Sequence, residues 1–600
     1  MRVRLKLDKI LTNKKILVVI LSVILVLLGL GSWCLLDSGV RSVLLYKSPY
    51  TFQIQPGPGS QPLTQRLVLV TVDGLEFVDF EAMLSIRDIA NRGVAVSLRG
   101  SPGLAPIPAS TVLMTGALPE ISGVITNWFN DGVMIDSLWS SASRAGLNTV
   151  IAGDDKWKPL FGNLVTQGIY RGTDDKLSNT DVNDTILKDA ITEITQGKSQ
   201  FMLVSFLPER GGAHSPAGLA QQDTTREEAL ASIDMRLGVL LEAIDLSSSA
   251  VIVVLGGSQL TQKTLDEFFG NTGDTYLVAA GAGIMTPENP PESIHWVSGR
   301  MVDVAPTCAS LMGISMPTHS QGEAMFGVLD LPDHTLSEIA IRQTAARTKF
   351  ALEYMNTLRR PANEDWSLFD AFLLHNDGNY RGAYATALST DEEIISALKK
   401  TRSSLVSASR LVSIPILVLV AGLLICVMTM LLQRDIKRVS VAVMGVFCYF
   451  TAYYGLLFIK GTLLSPSAVL QLSELTGFYQ GRIVDSLVSM TLTAVIVGWV
   501  LSGRKEHRTG GQGFLSGIMS FCFISLALVA HIALFAVTEG FAYAFYLPDI
   551  QKGFRCFMYL IQLMVAGILS PILAGLSEGV LILTPKARLS RLGQNEGLGE

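Results

Sequence analysis

The stretch Leu67 to Gly74 reads LVLVTVDG and decides the fold of the middle of the chain. Its aliphatic and β-branched residues run without polar alternation and end in an aspartate and a glycine. Such runs are typical of strands that are buried on both faces, as in a parallel sheet covered by helices. Further runs of this kind are TVIA (149–152), FMLVSFL (201–207), AVIVVL (250–255) and TYLVAA (275–280). We therefore predict an α/β fold with a mostly parallel sheet.

The carboxyl ends of these strands are where a site is expected, because ligands bind there in open parallel sheets. The residues at these ends read VDGL (72–75), AGDDKW (152–157), LPERGGAH (207–214) and LGGSQ (255–259). Asp73 ends the first strand. Asp154 and Asp155 follow the second and offer further carboxylates at the same edge, although two solvated aspartates on a loop would look the same.

The composition indicates a membrane protein, since 49% of the 600 residues are hydrophobic and 16% are charged. An uncharged run, Ile16 to Leu36, follows a basic start at residues 1–15. It is longer than the apolar core of a signal peptide, which has about 7–15 residues, so we predict a membrane anchor. Five more runs long enough to cross a bilayer are Leu411–Leu432, Val439–Ile459, Ser486–Ser502, Gly513–Thr538 and Cys556–Ser577.

The loops between these runs predict the topology through their charges. Basic residues cluster at RDIKR (434–438), at RKEHR (504–508) and in the tail. The positive-inside rule then places both termini in the cytoplasm and the large domain outside it. The predicted divisions are a cytoplasmic start (1–15), an anchor (16–36), a linker (37–64), the α/β domain (65–342), a helical stalk (343–410), five membrane helices (411–585) and a cytoplasmic tail (586–600).

Cysteines and net charge exclude some classes of protein. Five of the six cysteines lie in or beside apolar runs, and Cys308 is alone in the domain, so neither a disulfide framework nor a thiolate metal site is expected there. A net charge of −5 without a basic tract gives no reason to expect a nucleic-acid partner. The lipid bilayer is the expected partner.

Four segments in order resemble the phosphodiesterase and nucleotide pyrophosphatase branch of the alkaline phosphatase superfamily. They are LVLVTVDG (67–74), MTGALPEISGVITN (114–127) preceded by Pro108, YLVAAGAGI (276–284) and VDVAPTCASLMGI (302–314). The resemblance covers roughly residues 65–325. It implies an alkaline-phosphatase-like sandwich, and the additional membrane helices make the architecture similar to membrane ethanolamine phosphate transferases.

The resemblance also implies a chemistry, in which two metal ions, usually zinc, are held by Asp and His and activate a Thr or Ser nucleophile. Metal ions lower the pKa of the nucleophile and neutralise charge on the phosphoryl oxygens. By this resemblance Asp73 and His214 stand at metal-ligand positions, and Glu209 lies one residue out of register. Asn127 stands at the position of the amide that binds a phosphoryl oxygen, so an anion-binding role is expected for it.

Other positions of this pattern are vacated. The nucleophile position is occupied by Pro106, which has no hydroxyl. Two ligand positions are Gly256 and Gly257, and a third is Thr272. Shifted nucleophiles at Ser101, Ser110 or Thr111 would each need a changed loop path. No cofactor is therefore expected, and zinc is expected only if the site is rearranged.

Three hypotheses follow. The first is a catalytically inactive relative of the phosphodiesterases that serves as a tethered binding or scaffold domain for a lipid headgroup, a glycan or another membrane protein. The second is a metal-dependent phosphodiesterase, or a phosphoryl or phosphoethanolamine transferase, with a rearranged site. The third is a membrane bundle with a transport or lipid-handling role, for which His531 and Asp485 are the ionisable candidates.

Overall fold

A computed structural model represents the protein. It describes residues 14–73, 75, 77–99, 104–172, 178–207, 226–256, 275–287, 294–360, 366–432, 436–462, 464, 466, 469, 471–502, 511–541 and 545–584. Of the predicted site residues, Ser101, Glu209, His214, Gly257 and Thr272 lie outside these ranges.

The strands in the described residues form one mixed sheet in the order β4-β3-β5-β1-β6-β7-β2-β8. They are β1 (Arg66–Val72), β2 (Val94–Arg99), β3 (Thr149–Asp154), β4 (Gln167–Arg171), β5 (Phe201–Phe206), β6 (Ser249–Leu255), β7 (Thr275–Gly281) and β8 (Trp296–Arg300). The predicted α/β fold with a mostly parallel sheet is confirmed. One strand differs, because β7 runs antiparallel to both of its neighbours, β6 and β2.

Burial on both faces of the sheet explains the unbroken apolar runs. Leu67 and Leu69 of β1 belong to one hydrophobic core, whereas Val68 and Val70 belong to the core on the opposite face. Strand β7 carries the same kind of run because it too is buried, between β6 and β2. An apolar run therefore reports burial on two faces and does not report strand direction.

The helices cover the sheet and then build the bundle. They are α1 (Lys14–Leu44), α2 (Leu84–Arg92), α3 (Pro106–Thr115), α4 (Pro119–Ser122), α5 (Leu138–Arg144), α6 (Trp157–Phe161), α7 (Asn179–Gln196), α8 (Arg226–Glu242), α9 (Val304–Met312), α10 (Asp333–Thr357), α11 (Phe369–Asn376), α12 (Tyr380–Leu432), α13 (Ile436–Ile459), α14 (Leu472–Ser502), α15 (Gln512–Thr538) and α16 (Ile550–Leu583). Short 3₁₀ turns span Phe77–Ala82 and Met301–Asp303.

Six of these helices, α1 and α12 to α16, are long and apolar enough to cross a membrane, as predicted. Helices α1 and α16 cross where Gly29 faces Gly567. A Cβ atom built on Gly567 would lie 2.4 Å from the carbonyl oxygen of Leu25, so only glycine permits this approach. The side of the membrane on which the domain lies stays a prediction from the loop charges.

The α/β domain is joined to the bundle by specific contacts. Glu120 of α4 accepts hydrogen bonds from the Arg402 guanidinium and from the backbone N–H of Leu547, both at 3.2 Å. The buried Tyr50 donates its hydroxyl to the carbonyl oxygen of Phe545. Residues 55–62, which belong to the predicted linker, lie along the domain, where the carbonyl oxygen of Gln55 accepts a hydrogen bond from Lys349 at 3.2 Å. These contacts place the domain against one end of the bundle.

Candidate functional site

Two of the predicted carboxylates meet at the carboxyl edge of the sheet, and a lysine lies between them. The ammonium group of Lys156 contacts Oδ2 of Asp73 and lies 3.4 Å from Oδ2 of Asp154. The backbone N–H of Lys156 also donates to Oδ1 of Asp154 at 3.0 Å. The Lys156 side chain is only 12% exposed. Because a buried charge is stable only when it is paired, the three side chains form one ionic group.

The local chain path explains this arrangement. Strand β3 ends at Asp154, and α6 begins at Trp157, so Lys156 lies in the tight turn between them. Strands β3 and β1 are separated only by β5, and all three run in the same direction. The turn after β3 is thereby brought close to the end of β1, where Asp73 lies.

The electrostatics of the group favour the charged lysine. Burial alone lowers the pKa of Lys156, but the carboxylates of Asp73 and Asp154 outweigh burial and hold the pKa above its usual value. Lys156 therefore stays charged at neutral pH. The neighbouring Asp155 has a raised pKa, first because it is partly buried and second because the Asp154 carboxylate is close.

The expected nucleophile position lies at the start of α3. Pro106 is the first residue of this helix, a position that suits proline because its missing N–H has no partner in the first turn. Asn127 accepts a hydrogen bond from the N–H of Ile107 at 3.0 Å through its side-chain oxygen. Asn127 thus caps the helix at the place where the family carries its nucleophile.

The shifted nucleophiles within α3 are buried in the structure. Thr111 is fully buried and donates its hydroxyl to the carbonyl oxygen of Ile107 at 3.0 Å, and Ser110 is 7% exposed. Gly256, at a vacated ligand position, has φ +134, and a Cβ atom there would lie 3.0 Å from Thr275. An L side chain at position 256 would therefore be strained.

Of the metal-ligand positions that the resemblance implies, only Asp73 and Gly256 lie among the described residues. Among them, no group of three or more His, Cys, Asp or Glu side chains is arranged to hold a metal ion. Zinc lies about 2.0–2.2 Å from carboxylate oxygens, and the ammonium of Lys156 already contacts the Asp73 oxygen that would serve. Asp73 and Asp154 converge as the rearranged-site hypothesis requires, but they converge on a lysine.

An apolar cavity of about 240 Å³ lies beside the start of α3, where the domain meets the bundle. Ala105, which precedes α3, and Asn127 contribute from the domain. Helix α1 contributes residues between Leu35 and Leu44, and α16 contributes the aromatic rings of Phe554 and Phe557. The cavity thus connects the expected phosphoryl-binding position with the membrane helices.

His531, the ionisable residue predicted in the fifth membrane helix, lies on the outside of the bundle. Its Nδ1 is 2.7 Å from the carbonyl oxygen of Ala527 in the same helix, and its ring centroid lies 4.9 Å from that of Tyr559 on α16, with the ring planes tilted by 43°. The partner of Nδ1 is one turn earlier in its own helix.

Lys156 is the residue that sequence reasoning missed. The quoted segment AGDDKW contains it, directly after two aspartates at a strand end, and that adjacency was the available signal. Its main partner, Asp73, is 83 residues away in the chain, so the ion pair is visible only in the fold.

The sheet, its carboxylate-bearing edge and the six apolar helices define a membrane protein with an α/β domain placed against one end of a helical bundle. No family model matches the chain. The catalytic subunit of human GPI ethanolamine phosphate transferase 3 is 24% identical over 221 residues, which cover 36% of this chain and 19% of that protein. The catalytic subunit of human GPI ethanolamine phosphate transferase 2 is 23% identical over 287 residues, covering 45% and 28%.

These matches show homology to GPI ethanolamine phosphate transferases and confirm the predicted resemblance, although the chain spans less than a third of the length of these relatives. Solved structures with a partial likeness include human ectonucleotide pyrophosphatase/phosphodiesterase 5, with a TM-score of 0.34, 12% identity and coverage of 44% of this chain and 100% of that chain. An alkaline phosphatase superfamily protein from Vibrio parahaemolyticus has a TM-score of 0.34, 15% identity and coverage of 50% and 79%. The fold assignment rests on the sheet itself, because scores at this level add nothing to it.

Proposed function

We propose that this protein is a membrane-anchored lipid-binding relative of the GPI ethanolamine phosphate transferases whose α/β domain works without metal ions. The observation that carries the proposal is the Lys156 ammonium between Asp73 and Asp154. A side-chain cation supplies the charge that these carboxylates need. It cannot leave, exchange or activate a nucleophile as a bound metal ion does.

The lost nucleophile agrees with this function. By the resemblance, the nucleophilic hydroxyl of phosphoryl transfer would stand at the start of α3, and that position holds the ring of Pro106. The side-chain oxygen of Asn127 caps the same helix. These two features of the described residues support binding at this edge of the sheet in place of transfer.

The junction cavity supplies a binding surface for a lipid. Its walls from α1 and α16 are apolar and aromatic, while Thr126 and Asn127 present polar atoms at the domain end. Pockets for ligands combine such apolar walls with a few polar groups that fix orientation. A lipid would place its chains among the helices and its polar group beside Asn127.

The test uses the full chain in detergent micelles, after dialysis against trace zinc. We expect substoichiometric metal by mass spectrometry and no turnover of a chromogenic phosphodiester. Native mass spectrometry should show a co-purified lipid, which Gly553→Phe displaces by filling the cavity, since the nearest atom to a Cβ there is 3.5 Å away. Gly575→Phe on the same helix is the matched control, because a Cβ there meets nothing within 4 Å.

The contrary outcome is specific. Near two zinc ions per chain, with phosphodiester turnover that Asp73→Ala abolishes, would make the protein a metalloenzyme. Equal lipid retention in both glycine variants would contradict lipid binding in the cavity. The metal content and phosphodiester turnover test the metal-free domain independently.

A second candidate function, phosphoethanolamine transfer, is favoured by the match to proteins that are named as catalytic subunits. It would draw on residues outside the described ranges, with Glu209 and His214 as the sequence candidates. The measurement is loss of labelled ethanolamine phosphate from phosphatidylethanolamine in liposomes. Activity that His214→Ala abolishes would select the transferase over the binding protein.

A further inference from the structure

A second ionic group lies within the membrane bundle, near the end that faces the α/β domain. Asp485 of α14 is 1% exposed and pairs with Arg482 of the same helix at 3.0 Å. The ammonium of Lys460, one residue beyond α13, contacts the other oxygen of Asp485. Arg482 lies about 15 Å along α14 from its first residue, so the group lies near the level where the hydrocarbon layer begins.

The buried guanidinium of Arg482 has fewer hydrogen-bond acceptors than donors in the described structure. Arg482 is 6% exposed, yet its Nε and Nη1 atoms have no hydrogen-bond acceptor in the described structure. Its guanidinium lies over the ring of Phe478 at 5.2 Å, which occupies one face of the plane. Asp485 Oδ2, which lies 3.0 Å from Nη2 of Arg482, also has no hydrogen bond in the described structure. Leaving a buried charged donor unsatisfied costs free energy, so Nε and Nη1, which no described acceptor reaches, call for an acceptor.

A third unused donor lies beside this arginine. The hydroxyl of Tyr453 on α13 is fully buried and has no hydrogen-bond partner in the part of the chain that the structure describes, and Tyr453 is an electrostatic neighbour of both Arg482 and Asp485. Its neighbour Tyr449, one turn earlier, is satisfied by Gln562 at 3.0 Å and Ser486 at 3.2 Å. Within the described residues of this group, Tyr453 and Arg482 therefore keep open donors.

The group contains more positive than negative charges. Two cations, Lys460 and Arg482, share the single carboxylate of Asp485, which leaves a formal charge of +1. A charge left within a membrane bundle is costly and marks a functional site by default. A ligand with charge −1 and several acceptor oxygens would satisfy both the charge and the open donors.

We propose that Arg482, Tyr453 and Lys460 form a binding site for the phosphate diester of an anionic phospholipid. The diester carries one negative charge, and its unesterified oxygens accept hydrogen bonds from the guanidinium and the hydroxyl. Lys460, whose side chain is 47% exposed, marks the side from which the headgroup enters. The site is separate from the junction cavity and stands whether or not the proposed function holds.

The experiment measures thermal stability of the full chain in dodecylmaltoside with added short-chain lipids. Phosphatidylglycerol supplies the anionic diester, phosphatidylcholine supplies the same diester with no net charge, and sodium phosphate supplies the free anion. We expect phosphatidylglycerol to stabilise the protein at concentrations at least tenfold below those needed for phosphatidylcholine. Stabilisation by sodium phosphate at equally low concentration would overturn the lipid assignment, because a free anion would then be the ligand.

Two variants separate binding from folding. Tyr453→Phe removes a hydroxyl that has no hydrogen-bond partner among the described residues, so the variant should fold normally and weaken phosphatidylglycerol binding about fivefold, as expected for one hydrogen bond. Arg482→Lys keeps the charge and should weaken binding about tenfold or more because the guanidinium donors are lost. Lys552→Gln, in an ion pair with Glu539 at the same end of the bundle, should leave binding unchanged. Unchanged binding in both Tyr453→Phe and Arg482→Lys would overturn the site.

Discussion

The two ionic groups of this protein are opposite in composition. At the edge of the sheet, two carboxylates, Asp73 and Asp154, share the single ammonium of Lys156. In the bundle, two cations, Lys460 and Arg482, share the single carboxylate of Asp485. The first group keeps a formal charge of −1 and lies beside solvent, whereas the second keeps +1 within apolar surroundings.

The difference shows how surroundings determine the demand for a ligand. Water near the sheet edge screens the remaining negative charge, because the Asp73 side chain is 26% exposed. The bundle offers no such screening at Arg482, which has open donors and little contact with solvent. The excess charge in the bundle therefore requires a partner, while that in the domain is tolerated.

The largest effect is expected for Asp485→Ala, which tests whether the ionic group in the bundle is poorly solvated. It leaves two cations without their carboxylate, and we expect a loss of about 3–5 kcal/mol of stability, as for removal of one partner of a buried ion pair. The measurement is the unfolding midpoint of the purified protein in detergent.

The control for that variant is Asp37→Ala. Asp37 pairs with Arg41 on α1, where both side chains are more than half exposed, and it should cost less than about 1 kcal/mol. Equal losses from the two aspartates would mean that the bundle group is as well solvated as the surface pair.

A smaller effect is expected for Lys156→Met in the domain. The two carboxylates lose their shared cation, and we expect a loss of about 1–3 kcal/mol, below that of a fully buried pair because solvent reaches Asp73. Added Mg²⁺ or Zn²⁺ should restore part of the unfolding midpoint in this variant and leave the parent protein unchanged.

Lys158→Met is the matched control, since Lys158 is exposed and lies two residues after Lys156, in α6. If the divalent ions stabilised the parent protein as much as the Lys156→Met variant, the Lys156 ammonium would not occupy the place of a metal ion.

The smallest effect is expected at the ion pair of one carboxylate and one guanidinium, Glu120 and Arg402, where the α/β domain meets the bundle. Burial raises the pKa of Glu120 despite the opposing effect of Arg402, so the folded state binds this proton more tightly than the unfolded chain. The resulting stability is complete below the usual glutamate pKa of about 4.3 and is lost as pH rises through the raised folded value.

Glu120→Gln removes the titrating group and should flatten this decline by less than about 1 kcal/mol at pH 7, while the amide oxygen can still accept from Leu547. The measurement is the unfolding midpoint from pH 4 to pH 7. A decline that persists unchanged in the variant would assign the pH dependence to other groups.

The sequence predicted much of the architecture because periodicity and apolar length are local properties. The five predicted strands appear in the structure with similar bounds, and the six apolar runs lie within helices, of which α12 begins at Tyr380 and α14 at Leu472, well before the predicted starts. Strands β2, β4 and β8 were missed, and β4 and β8 lie at the edges of the sheet, where exposed residues interrupt the apolar pattern. The functional roles given to Asp73, Asn127, Glu209 and His214 stay predictions.

By itself the sequence determined which side chains exist at each expected position, so the loss of a hydroxyl at Pro106 and of a ligand at Gly256 needed no structure. Only the tertiary structure decided what replaced them. Lys156 meets Asp73 because the strand order brings two turns together, and Lys460 meets Asp485 because α13 and α14 pack side by side. Such pairings depend on the path of the chain through space, and no local pattern of residues encodes that path.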